Sequence, residues 1–456
     1  MASTAPARGM RDFLPADVRR RTYVIGVIRG VYERYGFEPL ETPAVENIET
    51  LLGKYGDEGN QLIFKILKRG EHEASGQADL ALRYDLTVPL SRVVAEHRGT
   101  LPKYFKRYQI QPVWRADRPA RGRFREFYQC DVDATGSTSP VVEAELCAAA
   151  CEAMQALGFS DAVLRLNHRA VLTGVLDVAG VPADKHGDAL VALDKLDKIG
   201  LDGVKAEYET RGLRPEVADT VLGILGAAAL SGVVAADNAA ALDRVEAFVA
   251  GHAEAVAGIA TMRTVLALAA RTPAAHQLRV DLSLARGLSY YTGCIMEMTV
   301  PDLAGSLGGG GRYDGLVGMF LGQAVPAAGF SLGLERILVV MGERAMFPAH
   351  IAATAADVLI AQWNADTAGD ALALAHTLRA GGLRVEVYPD ADKLGKQFKY
   401  AAATGVPLVV VEGDDERAAG ELTVKDLRTG EQQRVPRAEA GAYLKDLLTP
   451  VASGSL

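Results

Sequence analysis

Residues 103–133, KYFKRYQIQPVWRADRPARGRFREFYQCDVD, limit what this chain can fold into more than any other stretch. Ile110, Pro112 and Trp114 alternate with Gln111, Val113 and Arg115, the period of a strand, and residues 125–132 read as a second strand after a turn through Pro119 and Gly122. Strands joined by so short a connection pair antiparallel. The pairing folds Arg115, Arg118, Arg121, Arg123 and Arg125 into one small volume near Gln129, Asp131 and Asp133. Crowded guanidinium groups need neutralising, and their planar fork suits phosphate oxygens, so a polyphosphate, a nucleic-acid backbone or both would fit. A surface hairpin whose arginines and acids satisfy one another remains the alternative. Period two sets Gln129, Asp131 and Asp133 on one face and Tyr128, Cys130 and Val132 on the other, a display able to read a cationic or hydrogen-bond-donating ligand.

With 456 residues, 49% of them hydrophobic, the chain divides into two or three domains. A net charge of -8 excludes a protein that coats nucleic acid in bulk, but not a local contact by the arginine loop. No apolar run is long enough for a membrane helix and no leader pattern opens the chain, so a cytoplasmic location is expected. Of four cysteines, Cys147 and Cys151 stand one helical turn apart with no histidine or further cysteine beside them. They read as core, and zinc is not expected.

Residues 11–36 read as a helix with an apolar stripe of Val18, Thr22, Ile25, Val27, Ile28, Val31 and Tyr35. FEPLETP, residues 37–43, is extended, its two prolines suited to a sheet edge or a subunit contact. In LALRYDLTVPL, residues 80–90, alternation predicts a strand with Arg83, Asp85 and Thr87 on one face, ended by Pro89. Ser139 and Pro140 open a helix that runs to Gly158, a short strand follows over residues 159–167, and residues 169–271 read almost wholly helical, as an insertion. Its Lys185, Lys195, Lys198 and Lys205 read as a solvated face rather than a phosphate contact.

Strands return at Gln277, broken at Arg286-Gly287 beside the Tyr290-Tyr291 pair. LGGGGRYDGL, residues 307–316, lacks the lysine and Ser/Thr of a Walker loop and the spacing of a dinucleotide fingerprint; tight turns beside a ligand are the reading. Residues 328–340 pass from strand into a helix bearing Arg336 next to Glu335, where a buried arginine would need an anion. From about residue 357 a strand-helix-strand-helix-strand pattern begins, with a further strand and a last helix, and it reads as a compact α/β domain. Arg384, Lys393, Lys396 and Lys399 give it a modest basic patch, which favours binding over chemistry.

Four separated segments thus offer polar groups: Asp85 and Thr87; Arg115, Arg123, Gln129 and Asp133; Arg286 with Tyr290 and Tyr291; and Arg336. No nucleophile-base triad and no His/Glu metal motif emerges. Arginines converging on one cleft suit nucleotidyl chemistry, where positioning and charge neutralisation supply most of the catalysis. The residues by themselves describe an ATP-using enzyme with a separate C-terminal binding domain.

Over nearly its whole length the chain resembles the class II histidyl-tRNA synthetases. GMRDFLP opens it, FEPLETP is similar to the first class motif, WRADRPARGRFREFYQCDVD to the second and GFSLGLERI to the third, while LARGLSYY and GGGGRYDGL are similar to the histidine-specific segments. The resemblance implies a multidomain α/β and α+β fold: a class II antiparallel catalytic sheet with helices over residues 1–168 and 272–345, a helical insertion over 169–271, and an α/β anticodon-binding domain over 354–456. It also implies a homodimer that takes L-histidine, ATP and histidine tRNA, with Mg2+ accompanying ATP, no tightly bound organic cofactor, no zinc and no membrane.

Arg286 and Arg115 would be catalytic. Asp85, Leu86, Thr87, Arg115, Gln129, Asp133, Arg286, Tyr290 and Tyr291 would bind histidine. Arg115, Arg123, Phe127 and Arg336 would bind ATP; Mg2+ would bridge the phosphates, held partly by acids that the sequence does not single out. Aspartate at 85 and 133 resembles the eukaryotic-type branch, since several bacterial members carry glutamate there. Ser289 departs from the family's RGLDYY, which usually has aspartate. Two alternatives stay in view: the synthetase-like regulatory subunit of ATP phosphoribosyltransferase, which lacks a C-terminal anticodon domain, and a non-enzymatic nucleic-acid-binding module, which has no need of histidine-pocket strands.

Overall fold

The hairpin does pair antiparallel, with β5 (Phe105–Trp114) running against β6 (Glu126–Thr135) from Phe105 opposite Thr135 to Trp114 opposite Glu126. The structure, a computed structural model, describes residues 4–54, 56–70, 75–225, 237–285, 290–348, 351 and 355–449. It divides into two units, Met1–Phe347 and Pro348–Leu456.

In the first unit the hairpin belongs to an eight-stranded sheet ordered β1-β5-β6-β11-β10-β9-β7-β8. The other members are β1 (Glu38–Pro39), β7 (Val163–His168), β8 (Leu278–Val280), β9 (Cys294–Thr299), β10 (Gly308–Arg312) and β11 (Ala327–Gly333). The proline-bearing β1 lies at the edge, parallel to β5, where its missing N–H costs no ladder bond. Cys130 and Val132 enter the core with Val24, Ile28 and Tyr32 of the helix Pro15–Arg34 and Leu146, Ala149 and Ala150 of the helix Val141–Ala156. Six described helices fill much of residues 169–269, and Lys185, Lys195 and Lys205 stand there in surface ion pairs with Asp188, Glu207 and Asp219.

Three local expectations change. The first helix begins at Pro15, and it buries Arg21, Val24, Ile28, Val31 and Tyr32 while Val18 is 46% exposed. That inward face carries Arg21 to within 2.9 Å of the buried Glu335. Residues 80–90 are not one strand: β4 (Ala78–Leu82) ends early, in a small sheet between β2 (Val45–Asn47) and β3 (Lys65–Leu67), and Thr87 begins the helix Thr87–Glu96. Asp85 Oδ1 accepts the Val88 N–H at 3.0 Å, and Pro89 sits in the first turn, where a missing donor is harmless. A local cap therefore outweighs the period-two pattern.

The glycine run is the third. It forms not turns but the central strand β10, paired with both β9 and β11. A Cβ on Gly308 would lie 2.5 Å from the Ser331 carbonyl, and one on Gly310 would lie 2.7 Å from Phe330 Cα. These glycines are required by close approach of neighbouring backbone, not by turn geometry.

In the second unit, β12 (Val358–Ile360), β13 (Val385–Val387), β14 (Leu408–Val411), β15 (Glu421–Asp426) and β16 (Gln432–Pro436) are ordered β13-β12-β14-β15-β16. The first three are parallel and the last two antiparallel, and they enclose a core of their own. Within the anticipated basic patch, Arg384 pairs with Asp357 and Lys396 with Asp392. Among the described residues no helix is long and apolar enough to cross a membrane.

Gly310→Ala should cost about 1–3 kcal/mol of stability, the scale of overpacking a close-packed interior. Gly315→Ala, whose Cβ meets nothing within 4 Å, should be near neutral. Chemical denaturation of the two variants checks this, and equal midpoints would refute the packing argument.

Candidate active site

The cross-strand register of the hairpin builds one polar face. Arg107, Gln109 and Gln111 on β5 stand opposite Asp133, Asp131 and Gln129 on β6. Arg107 is fully buried, and its Nη2 lies 2.9 Å from Asp133 and 4.0 Å from Asp131. The same nitrogen donates to the Leu86 carbonyl at 3.2 Å. Tyr313 donates its hydroxyl to Asp133 Oδ1 in a short hydrogen bond, and Gln129 Nε2 donates to Ser331 Oγ at 2.9 Å. Gly329, directly across from Asp133 on β11, leaves room for that carboxylate, into which a Cβ would run. The Tyr290 ring packs edge-on against Tyr291 at 5.0 Å and against Tyr313 at 6.2 Å.

Among the described residues, several buried atoms of this face find no hydrogen-bond partner: Arg107 Nε and Nη1, Gln129 Oε1, Asp131 Oδ1 and Asp133 Oδ2. The last is within ion-pair distance of Arg107 but out of hydrogen-bond alignment. Each such group costs roughly 1–3 kcal/mol until a partner arrives, so the face is built for a polar ligand. Burial pushes Asp131 up to about 7 against the pull of Arg107, with the Asp133 charge adding to the rise. Burial raises Asp133 as well, opposed by Arg107 and the Tyr313 hydroxyl.

Asp85 is buried beside this face, and Leu86 is tied to it through Arg107. Thr87 opens its helix and accepts from Ser91 through its carbonyl. Arg115 Nε donates to the Tyr84 carbonyl at 3.0 Å, with its guanidinium 4.3 Å from the Tyr84 ring and 5.1 Å from that of Phe127. Arg336 donates to the Ser306 carbonyl and lies against Gly122, a Cβ on which would come 3.1 Å from Arg336 Cγ. The structure thus joins Leu86 and Asp133 with Tyr290 and Tyr291 through Arg107 and Tyr313, sets Gln129 on the same strand face with its amide on Ser331, and joins Arg115 with Phe127. Arg286, together with Ser289, lies outside the described residues.

The loop arginines are not simply aimed at one volume. Arg121 pairs with Glu343, Arg123 with Asp117 at 2.7 Å, and Arg125 Nε donates to the Asp117 carbonyl. The buried charge at the start of the helix Leu334–Glu343 is Glu335, not Arg336; it accepts from Arg21 and from the Tyr128 N–H, each at 2.9 Å. Reasoning from sequence also missed Arg107 and Tyr313, and set Arg83 on a polar strand face without a role. The fully buried Arg83 ties FEPLETP to β5, donating to the carbonyls of Thr42 at 2.6 Å and Pro112 at 2.8 Å and to Gln111 Oε1 at 3.0 Å. Carrying the alternation back from Gln111 through Gln109 would have found Arg107.

A largely antiparallel sheet with such a hairpin at its heart, helices behind it and a separate α/β unit following is the architecture of a class II aminoacyl-tRNA synthetase. The family profile described as Histidyl-tRNA synthetase matches residues 9–337, and that described as Anticodon binding domain matches 357–447. A histidine–tRNA ligase from Porphyromonas gingivalis is 42% identical, over 94% of this chain and 96% of its own length. One from Gloeobacter violaceus is 40% identical, over 96% of this chain and 97% of its own. The crystal structure of the histidyl-tRNA synthetase from Nostoc sp. PCC 7120 superposes with a TM-score of 0.81 at 31% identity, covering 98% of this chain and all of that one.

This chain belongs to the histidyl-tRNA synthetase family. Its activity is that of a histidine–tRNA ligase: it activates histidine with ATP and charges histidine tRNA. Use of ATP with Mg2+ is typical of the class. The eukaryotic-type placement is overturned, because the matching relatives and solved structures are bacterial. Within this chain Asp85 accepts from the Val88 N–H, and Asp133 is held by Arg107 and Tyr313.

Between the ordinary carboxylate pKa and about 7, the folded chain keeps a proton on Asp131 that the unfolded chain has released. This group's contribution to stability therefore falls as pH rises through that window. Asp131→Asn should gain on the parent by on the order of 1–3 kcal/mol between about pH 5 and about pH 8. Denaturation curves across that range test it; a pH-independent difference would refute the assignment.

Proposed function

We propose that histidine binds on the polar face of β5 and β6, and the observation that carries this reading is the set of buried, unsatisfied polar atoms gathered there by register. Asp133 and Tyr290 with Tyr291 meet the imidazole, while Asp85, Leu86, Thr87 and Gln129 receive the α-amino end. Polar groups left unpaired without the ligand make such a pocket selective, because an analogue lacking the imidazole N–H cannot satisfy them. Arg115 contacts the α-phosphate and the histidine carboxylate, Phe127 stacks on adenine, Arg123 helps hold the phosphates and Arg336 grips the terminal one. The packing of Arg115 between Tyr84 and Phe127 supports a rigid placement of that charge.

A histidine carboxylate oxygen attacks the α-phosphorus, the bond to the bridging oxygen breaks, and pyrophosphate departs. Arg286 and Arg115 stabilise the negative charge that gathers as this happens. A terminal ribose hydroxyl of the tRNA then attacks the acyl carbon, and AMP leaves. Among the described residues no cluster of three or more His, Cys, Asp or Glu side chains could hold a metal ion. Mg2+ is therefore taken to arrive on ATP, where it would supply phosphate charge neutralisation; the dication keeps water and phosphate ligands and needs few carboxylates.

The division proposed is a catalytic domain of residues 1–168 and 272–345, an insertion of 169–271 and an anticodon-binding domain of 354–456, in a cytoplasmic homodimer. Histidine-dependent ATP/pyrophosphate exchange tests the site. Asp133→Asn should raise KM for histidine by roughly 10- to 100-fold, with KM for ATP little changed. Equal losses for both substrates would count against it. Arg286→Ala should slow exchange by roughly 10²- to 10³-fold in folded protein, the scale of a lost oxyanion donor, and a near-parental rate would remove Arg286 from the mechanism.

A further inference from the structure

We infer that Arg107 is the positioning residue that readies the histidine pocket, tying residues 85–87 to residues 129–133 and fixing Asp133 as an ionised acceptor for the imidazole. This rests on the proposed reading that Asp133 meets the imidazole. Arg107 lies on the strand before the arginine loop, outside the short motifs quoted for the family resemblance, and is fully buried. A buried guanidinium without anions would cost several kcal/mol. One nitrogen faces Asp133 at 2.9 Å and donates to the Leu86 carbonyl at 3.2 Å, so a single planar group reaches two segments more than forty residues apart in sequence. Its other two nitrogens, Nε and Nη1, find no hydrogen-bond partner among the described residues.

Among the described residues, the groups facing Asp133 are Arg107 from β5, Asp131 from its own strand and the Tyr313 hydroxyl from the end of β10; Asp85 acts on the adjoining Asp131, Tyr290 on Tyr313, and Tyr32, whose charge would also act on Asp133, lies behind the sheet with its hydroxyl on the Cys130 carbonyl. Arg107 is the cation of that set. The other members are carboxyls and phenols, and burial itself opposes ionisation of the aspartates. Without Arg107, Asp133 takes up a proton at higher pH, its donor replaces its acceptor, and the imidazole N–H meets a mismatched partner.

The experiment is histidine- and ATP-dependent pyrophosphate exchange by the full-length chain from about pH 6 to about pH 9, comparing the parent, Arg107→Met, Arg107→Lys and Asp133→Asn. Arg107→Met is expected to raise KM for histidine roughly 10-fold or more near neutral pH, with KM for ATP within about two-fold, and the defect should shrink as pH rises. Arg107→Lys, a point charge without the fork, should recover part of the loss. A parental histidine KM and pH profile in Arg107→Met, with Asp133→Asn impaired, would overturn the role of Arg107 alone. Equal rises for both substrates without rescue by lysine would reduce it to a structural residue and overturn the inference. Should Arg107→Met fail to fold, Arg107→Lys decides: an acidic limb shifted to higher pH supports the role and an unshifted one overturns it. A parental histidine KM in Asp133→Asn would instead bring down the reading of the pocket itself.

Discussion

The register between β5 and β6 is the constraint on which the site depends. It sets Arg107 across from Asp133, Gln109 across from Asp131 and Gln111 across from Gln129. A slip of β6 by one residue would turn Gln129, Asp131 and Asp133 into the apolar layer that holds Tyr108, and would bring Cys130 and Val132 out onto the polar face. Ion pairing across the ladder and apolar burial behind it therefore favour the same register. The sheet is accordingly fixed where the ligand is read, although single exposed pairs such as Arg121 with Glu343 contribute little to its stability.

Two further buried ion pairs fasten helices to the sheet. Arg21 reaches Glu335, which also accepts the Tyr128 N–H, so the first helix, the last helix of the unit and β6 meet at one carboxylate. Arg312 at the end of β10 makes a paired contact with Glu143, Nε to Oε1 at 2.6 Å and Nη2 to Oε2 at 2.9 Å. Pairs of this kind are costly to desolvate, and their value lies in specifying one arrangement. Here the arrangement they specify leaves Tyr313 directed at Asp133, one residue from Arg312.

The glycines of β10 and β11 serve the same end by subtraction. Gly311 lets the Tyr291 ring lie against the strand, and Gly329 lets the Asp133 carboxylate occupy the space a side chain would fill. The pocket is made as much by side chains withheld as by those supplied.

Period and charge alone determined the antiparallel hairpin, the common face of Gln129, Asp131 and Asp133, the edge placement of the proline-rich segment and the self-contained C-terminal α/β unit. These are local or nearest-neighbour properties, and alternation and proline chemistry report them directly. Only the tertiary structure decided that GGGGR is a strand, since its glycines answer to backbone on β11 contributed from elsewhere in the chain. It likewise decided that residues 83–90 break into a cap and a helix, and that Glu335 rather than Arg336 is the buried charge, because the partner of Glu335 lies 314 residues away. Arg107 falls between the two cases. Its face was legible by period, but its role depends on a carbonyl and a carboxylate brought together by folding, and no local pattern encodes that meeting.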